Sequence, residues 1–247
     1  MAHFLVFQHA EVEHPGIFRD FWRAAGIRWS AIELDRGEAI PTDLTPFDAL
    51  IVMGGAMDVW QLHEHPWLTP EIAAIREFVV GLGRPFLGVC LGHQLLAVAL
   101  GGEVGPAAVA EVGPYPVRLT HHHTSDPLLQ GLASPLTTFQ WHGAEVKALP
   151  FGAVVLAETD ACHIQAFRWR ECAFGLQFHA EITAETVADW ERIPAYRCAL
   201  ESALGAGASE RLAAQTLALL PEFNQTARTL NDHFLEIVRQ HTSGIKD

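Results

Sequence analysis

Pro85-Phe86-Leu87-Gly88-Val89-Cys90-Leu91-Gly92-His93-Gln94-Leu95-Leu96-Ala97 is the stretch whose reading decides the fold. Phe86 to Val89 is an apolar run of strand length, and Leu95 to Leu100 reads as a helix packed on it. Between them, Gly88-x-Cys90-x-Gly92 sets a glycine two residues either side of one thiol. That is the spacing of a nucleophile elbow, a sharp strand-to-helix turn that forces the central side chain into the open. The flanking residues must be small because the turn presses backbone against backbone. A thiol at the mouth of the next helix also sits at the positive end of its dipole.

Composition narrows the classes. A chain of 247 residues with 49% apolar and 18% charged side chains is globular rather than disordered. Its length suits one large α/β domain, read here as a core over 1–183 and a helical C-terminal segment over 184–247. No apolar run reaches the length of a bilayer span. Met1 to Phe7 lacks the charged start and cleavage site of a signal peptide, so a cytoplasmic protein is expected. Net charge is −13 with two lysines, Lys147 and Lys246, which argues against nucleic acid and anionic membranes as partners. Cys90, Cys162, Cys172 and Cys198 show no C-x-x-C pairing, and no secreted-type disulfide framework.

Further out from the elbow, His3 to Gln8 reads as a first strand. Pro15 opens a helix through Ala25, stopped by Gly26. Ile27 to Leu34 is a second strand, and Asp48 to Met53 a buried strand running into Gly54-Gly55. Thr69 with Pro70 reads as the start of a helix reaching about Leu82, with Ile72, Ile75, Val79 and Leu82 on one face. Strands alternating with helices imply an open, mostly parallel sheet with helices on both faces, whose ligands bind beyond the carboxyl ends of the strands. Tyr115–Leu119, Leu136–Trp141, Ala153–Glu158, Ile164–Trp169 and Cys172–Gln177 then read as short antiparallel additions. After Thr183 the pattern is helical, with breaks near Pro194, Gly205-Ala206-Gly207 and Pro221. Leu230, Phe234, Leu235 and Val238 have the spacing of a core-facing stripe.

A cysteine nucleophile needs a base, and the base needs a group to orient it. Gly175-Leu176-Gln177-Phe178-His179-Ala180-Glu181 offers both: if it continues a strand, His179 and Glu181 point the same way. The carboxylate would hold one ring nitrogen while the other faces Cys90. Acyl transfer also needs oxyanion donors. The Leu91 amide is one, and the Gly54-Gly55-Ala56 turn is placed to supply another.

Taken together, Met53-Gly54-Gly55, Gly88-Val89-Cys90-Leu91-Gly92-His93-Gln94 and Gly175 to Glu181 closely resemble the class I (triad) glutamine amidotransferases, in the form of stand-alone proteins similar to the amidotransferase domain of GMP synthase. Pro66-Trp67-Leu68, Trp141-His142-Gly143 and Gln165-Ala166-Phe167-Arg168 share that likeness, which runs to about Thr183. The resemblance implies that Cys90 attacks the γ-carbonyl of a glutamine-like substrate to give a γ-glutamyl thioester and ammonia or an amine. His179 would then serve as acid and base, oriented by Glu181. It places the oxyanion hole on the Gly55 and Leu91 amides and Gln94 against the bound substrate, with His142 a candidate at the rim. Two positions depart from the family: Ala180 and Ala56 stand where proline is usual.

No nucleotide-binding glycine loop occurs, so an acceptor of ammonia would be a separate synthetase subunit. No cofactor or metal is expected: His121-His122-His123 adjoins a turn and reads as a solvated loop. His63 and His65 read as surface or rim residues, and Cys162, Cys172 and Cys198 as inert buried thiols. Competing readings are a γ-glutamyl peptidase acting alone, a ligand-binding subunit without catalysis, and an α/β-hydrolase, in which the acid precedes the histidine and would here be Glu158 or Asp160. Oligomeric state is not encoded in any motif found.

Overall fold

In the computed structural model, which describes residues 1–244, the first half of the chain alternates strand and helix as its apolar runs require. β1 (His3–Gln8), α1 (Phe18–Ala24), β2 (Arg28–Glu33) and β3 (Ala49–Val52) come first. α2 (Leu68–Arg76), β4 (Phe86–Val89) and α3 (Leu91–Ala99) build the elbow half. Then come β5 (Glu103–Leu119), β6 (Leu136–Ala148), β7 (Ala153–Glu158), β8 (Ala166–Trp169) and β9 (Ala173–Leu176). The chain closes with α4 (Thr186–Trp190), α5 (Pro194–Leu204) and α6 (Ser209–Gly244).

Among the described residues one sheet of nine strands runs in the order β2-β1-β3-β4-β9-β8-β7-β5-β6. The strands from β2 to β9 in that order pair in parallel, and the remaining pairings are antiparallel. β4 and β3 are buried along their whole length, which is why their sequences are continuous apolar runs rather than alternating ones. Each face of the sheet carries its own core. On one, α1 and α6 contribute Phe18, Trp22, Leu230, Phe234 and Val238. On the other, α2 and α3 contribute Leu68, Ile75, Leu91, Leu95 and Leu96. A third cluster joins Val112, Phe139 and Trp141 of β5 and β6 to Trp190, Tyr196, Leu212 and Phe223 of the C-terminal helices.

Several expected boundaries move. The first helix begins at Phe18 rather than Pro15, because Gly16 takes a left-handed φ of 45° and its neighbour Ile17 donates its amide to Glu181 O at 2.8 Å. The helix expected from Thr69 begins at Leu68, whose amide bonds His65 O at 3.0 Å, so a preceding turn runs straight into it. Pro70 then lies in the first turn, where its missing N–H would have had no helical partner. β5 starts twelve residues before the expected Tyr115, passing Pro106, Pro114 and Pro116 with register shifts against β6. The Ile164–Trp169 and Cys172–Gln177 strands are shorter than expected, at four residues each. The break expected near Pro221 is absent from α6, where Leu212 and Thr216 before the proline and Phe223 and Ala227 after it are all buried. Packing on both sides outweighs the roughly 3 kcal/mol penalty of an internal proline.

The C-terminal stripe packs as its spacing predicts, with Phe234 edge-on to Phe4 at 6.2 Å between ring centroids. Residues 245–247 of the segment expected to be helical lie outside the described residues. Among the described residues no helix is long and apolar enough to cross a membrane. Phe234→Ala should cost about 3–5 kcal/mol of stability in urea unfolding, whereas Phe151→Ala, at a fully exposed side chain, should change it by less than about 0.5 kcal/mol.

Candidate active site

Cys90 ends β4 with φ 51° and ψ −101°, a backbone conformation that side-chain-bearing residues avoid. The turn is clamped on both sides: Cys90 N–H donates to Leu176 O at 2.8 Å and Gly92 N–H to Met53 O at 3.2 Å. A Cβ on Gly88 would lie 2.4 Å from the Gly92 carbonyl carbon, and one on Gly92 would lie 2.1 Å from Val52 O. The spacing of the two glycines is therefore a steric demand of the turn. Leu91 opens α3, so its amide is one of those without a carbonyl partner in the helix. Gly55 packs against it, since a Cβ there would meet Leu91 Cδ2 at 2.7 Å.

His179 does not continue a strand as expected. β9 stops at Leu176 and the chain bends, and His179 forms a single bridge to Phe139, donating its amide to Phe139 O at 2.8 Å. The bend still presents the two side chains together: His179 Nδ1 and Glu181 Oε1 are 2.7 Å apart. Cys90 lies beside the same ring. Burial disfavours a charged imidazole here, but the charges of Glu181 and Cys90 outweigh it and hold His179 well above its ordinary value. The Trp190 ring stands edge-on over His179 at 4.5 Å. Glu158 and Asp160 instead pair with Arg118, which removes the α/β-hydrolase arrangement.

The Cys90 side chain opens on a cavity of about 100 Å³. Gly55, Leu91, Gln94, His142 and Asp58 form part of its wall, and Ala195, Tyr196 and Ala199 of α5 cover it. The expected rim and substrate residues thus converge on one space. Gln94 Nε2 also donates to Ala144 O and to Gln177 Oε1, at 3.2 and 3.1 Å. His142 is fixed at both nitrogens, by Glu111 Oε2 at 3.1 Å and Ala144 O at 3.0 Å. Behind it, Gln165 and Thr159 also donate to Glu111, forming a buried polar layer under the cavity floor.

Sequence reasoning missed four residues that build the site. His9, just past β1, bonds Gly54 O at 2.7 Å and Glu71 Oε1 at 2.9 Å and stacks on Trp67, so it holds the double-glycine turn in place. Burial opposes a charge on His9, but Glu71 more than offsets it and raises its proton affinity. Glu13 and Tyr196 are the other two, joined by a hydrogen bond beside His179. The signal for His9 was its place at the carboxyl end of a parallel strand; Glu71 and Tyr196, far along the chain on helices, gave none.

Among the described residues, two buried triplets bring side-chain atoms able to bind a metal within 4.8 Å of one another, namely Glu111, His142 and Cys162, and Glu13, His179 and Glu181. In the first, His142 and Glu111 are already engaged with each other and with neighbouring donors. His121 to His123 form an exposed or half-buried short turn, and neither His63 nor His65 lines the cavity. A larger cavity of about 680 Å³ lies at the amino end of β9, bordered by Cys172, Ile237 and His241 and remote from Cys90.

The family model for glutamine amidotransferase class-I matches residues 23–189. A glutamine amidotransferase-like protein of Salmonella typhimurium, YfeJ, is 34% identical over 191 residues, covering 75% of this chain and 77% of that protein. A glutamine-hydrolyzing GMP synthase subunit of Archaeoglobus fulgidus is 39% identical over 41% of this chain and 54% of its own length. The crystal structure of a glutamine amidotransferase from Thermotoga maritima superposes with a TM-score of 0.83 at 27% identity, covering 96% of this chain and 98% of that one.

Of the other thiols, all expected to be buried, Cys162 is buried, Cys172 is half-buried, and Cys198 is exposed on α5. Burial pushes Cys162 up to about 12 and Cys172 to about 11. At pH 8 Cys162 is thus held in the thiol form. Iodoacetamide at that pH should therefore modify Cys198 and leave Cys162 intact, as read by peptide mass spectrometry of the native protein.

Proposed function

Because the chain belongs to the class I glutamine amidotransferase family, we propose that it is a cysteine hydrolase that cleaves the γ-amide of glutamine and delivers the ammonia to a separate acceptor protein. In this reading the Cys90 sulfur attacks the γ-carbonyl carbon, and the oxyanion that forms is received by the Gly55 and Leu91 amides. His179, charged by the proton from the thiol, passes that proton to the departing amine, and ammonia leaves as the C–N bond breaks. Water then loses a proton to His179 and attacks the thioester, which releases glutamate and restores the thiol. Glu181 fixes the ring so that one nitrogen serves this exchange throughout.

The observation that carries the reading is the His179–Glu181 pair beside a sulfur that is held in a strained elbow and lines a small cavity. Ala195, Tyr196 and Ala199 of α5 form part of the cavity wall beside Cys90. The same contact supports treating the chain as one catalytic unit, since residues after 184 complete a pocket built by those before it. The name of the Archaeoglobus fulgidus relative supports a separate synthetase as the acceptor's class.

Glutamate release from glutamine by the wild-type protein, with and without a candidate synthetase, should fall by about a thousandfold or more in Cys90→Ala and His179→Ala. Glu181→Gln should lose activity with little change in KM. Equal rates in wild type and Cys90→Ala would overturn the reaction, and turnover of γ-glutamyl peptides without glutamine turnover would replace it with the peptidase reading.

A further inference from the structure

Glu13 lies in the loop after β1, where its amide bonds Ala10 O at 3.0 Å. Its carboxyl group is buried and accepts the hydroxyl hydrogen of Tyr196, on α5, at Oε1. The second oxygen, Oε2, has no hydrogen-bond partner among the described residues. It is wedged at the active site: a Cβ on Gly54 would lie 2.5 Å from Glu13 Oε2 and 3.1 Å from His179 Cε1. Ligand atoms of Glu13, His179 and Glu181 all fall within 4.8 Å of one another. Tyr196 lines the cavity, and neither Glu13 nor His179 is part of its wall. A buried carboxyl group packed this closely on the imidazole acts through that imidazole.

We propose that Glu13 is a positioning residue for His179, a second carboxyl group on the ring beside Glu181, and that Tyr196 couples it to the seating of α5 over the cavity. The inference rests on reading Cys90 and His179 as nucleophile and acid–base group. Groups facing the ring come from every side: Cys90 from the elbow, Glu13 from the β1–α1 loop, Glu181 from its own segment, Trp190 from α4 and Tyr196 from α5. His9 acts on Glu13, and His14 lies near Glu181. Burial raises the Glu13 carboxyl above the usual range, while positive His179 and the Tyr196 hydroxyl draw it back down. With α5 seated, the hydroxyl therefore favours the Glu13 anion, and that anion helps retain the imidazolium proton. Glu13 thus supplies His179 with a second negative neighbour beside Glu181. The sign follows: removing this charge lowers the pH at which His179 gives up its proton.

The test is the pH dependence of Cys90 alkylation by iodoacetate in the full chain, beside kcat/KM for glutamine. Iodoacetate is an anion and reacts fastest while thiolate and imidazolium coexist, so the fall in rate at high pH reports on His179 without turnover. Glu13→Gln should move that fall to lower pH by about one unit, and Tyr196→Phe by less in the same direction. The double variant should move no further than Glu13→Gln alone. An unchanged alkaline limb in a folded Glu13→Gln, a loss that is uniform across pH, or additive shifts in the double variant would overturn the proposal. Thermal unfolding identifies folded variants; if Glu13→Gln does not fold, an unshifted limb in Tyr196→Phe overturns it alone. A wild type that alkylates with this profile but leaves glutamine intact would defeat the proposed reaction, while the same shifts would still judge Glu13.

Discussion

The close approach of α3 to the sheet is the constraint on which the rest of the molecule depends. Cys90 can hold its positive φ, a conformation worth of order 1–3 kcal/mol in strain, only because helix and strands over-determine it. Gly88 lies opposite Val52 on one side and Gly175 on the other in the sheet register. A Cβ on Gly175 would strike His93 at 2.6 Å, so three glycines clear the space that the helix fills. His93, buried under that contact, is pushed down to about 3 by desolvation and remains a neutral packing ring. Tight packing here is what turns a chain direction into an aimed sulfur.

Electrostatics in the site follow from burial rather than from proximity to solvent. His179, Glu181, Glu13 and Tyr196 are all inaccessible, so each charge is felt by the others at low dielectric. Tyr196 is driven well above its ordinary range by burial and by the Glu13 charge, and it stays a hydrogen-bond donor. The apolar walls of Trp141 and Trp190 keep water from screening these interactions. An acidic surface with a net charge of −13 contributes little at this depth.

What can be read from the sequence is what is local. The elbow is a five-residue pattern, and His179 with Glu181 a three-residue one, so both are visible without knowing the fold. The strand geometry expected to align the second pair is nevertheless absent, since a bend and a bridge to Phe139 bring those side chains together instead. Pro221 misleads, because a lost amide is tolerable in a helix packed on both sides of it. Glu13 with Tyr196 and His9 with Glu71 escape notice because their partners are 183 and 62 residues apart in the chain. Such pairs exist only once tertiary packing has removed water from them.

α6 is anchored in two apolar clusters, with Leu212 and Phe223 beside the cavity cover and Leu230, Phe234 and Val238 on the far face of the sheet. A rod of 36 residues fixed at both ends tolerates little displacement. Residues 186–204 before it pack through Val187, Trp190, Tyr196 and Leu200 in the cluster of Leu212 and Phe223. Exchanges at Ala195 or Ala199 would therefore alter the pocket wall without touching the elbow beneath it.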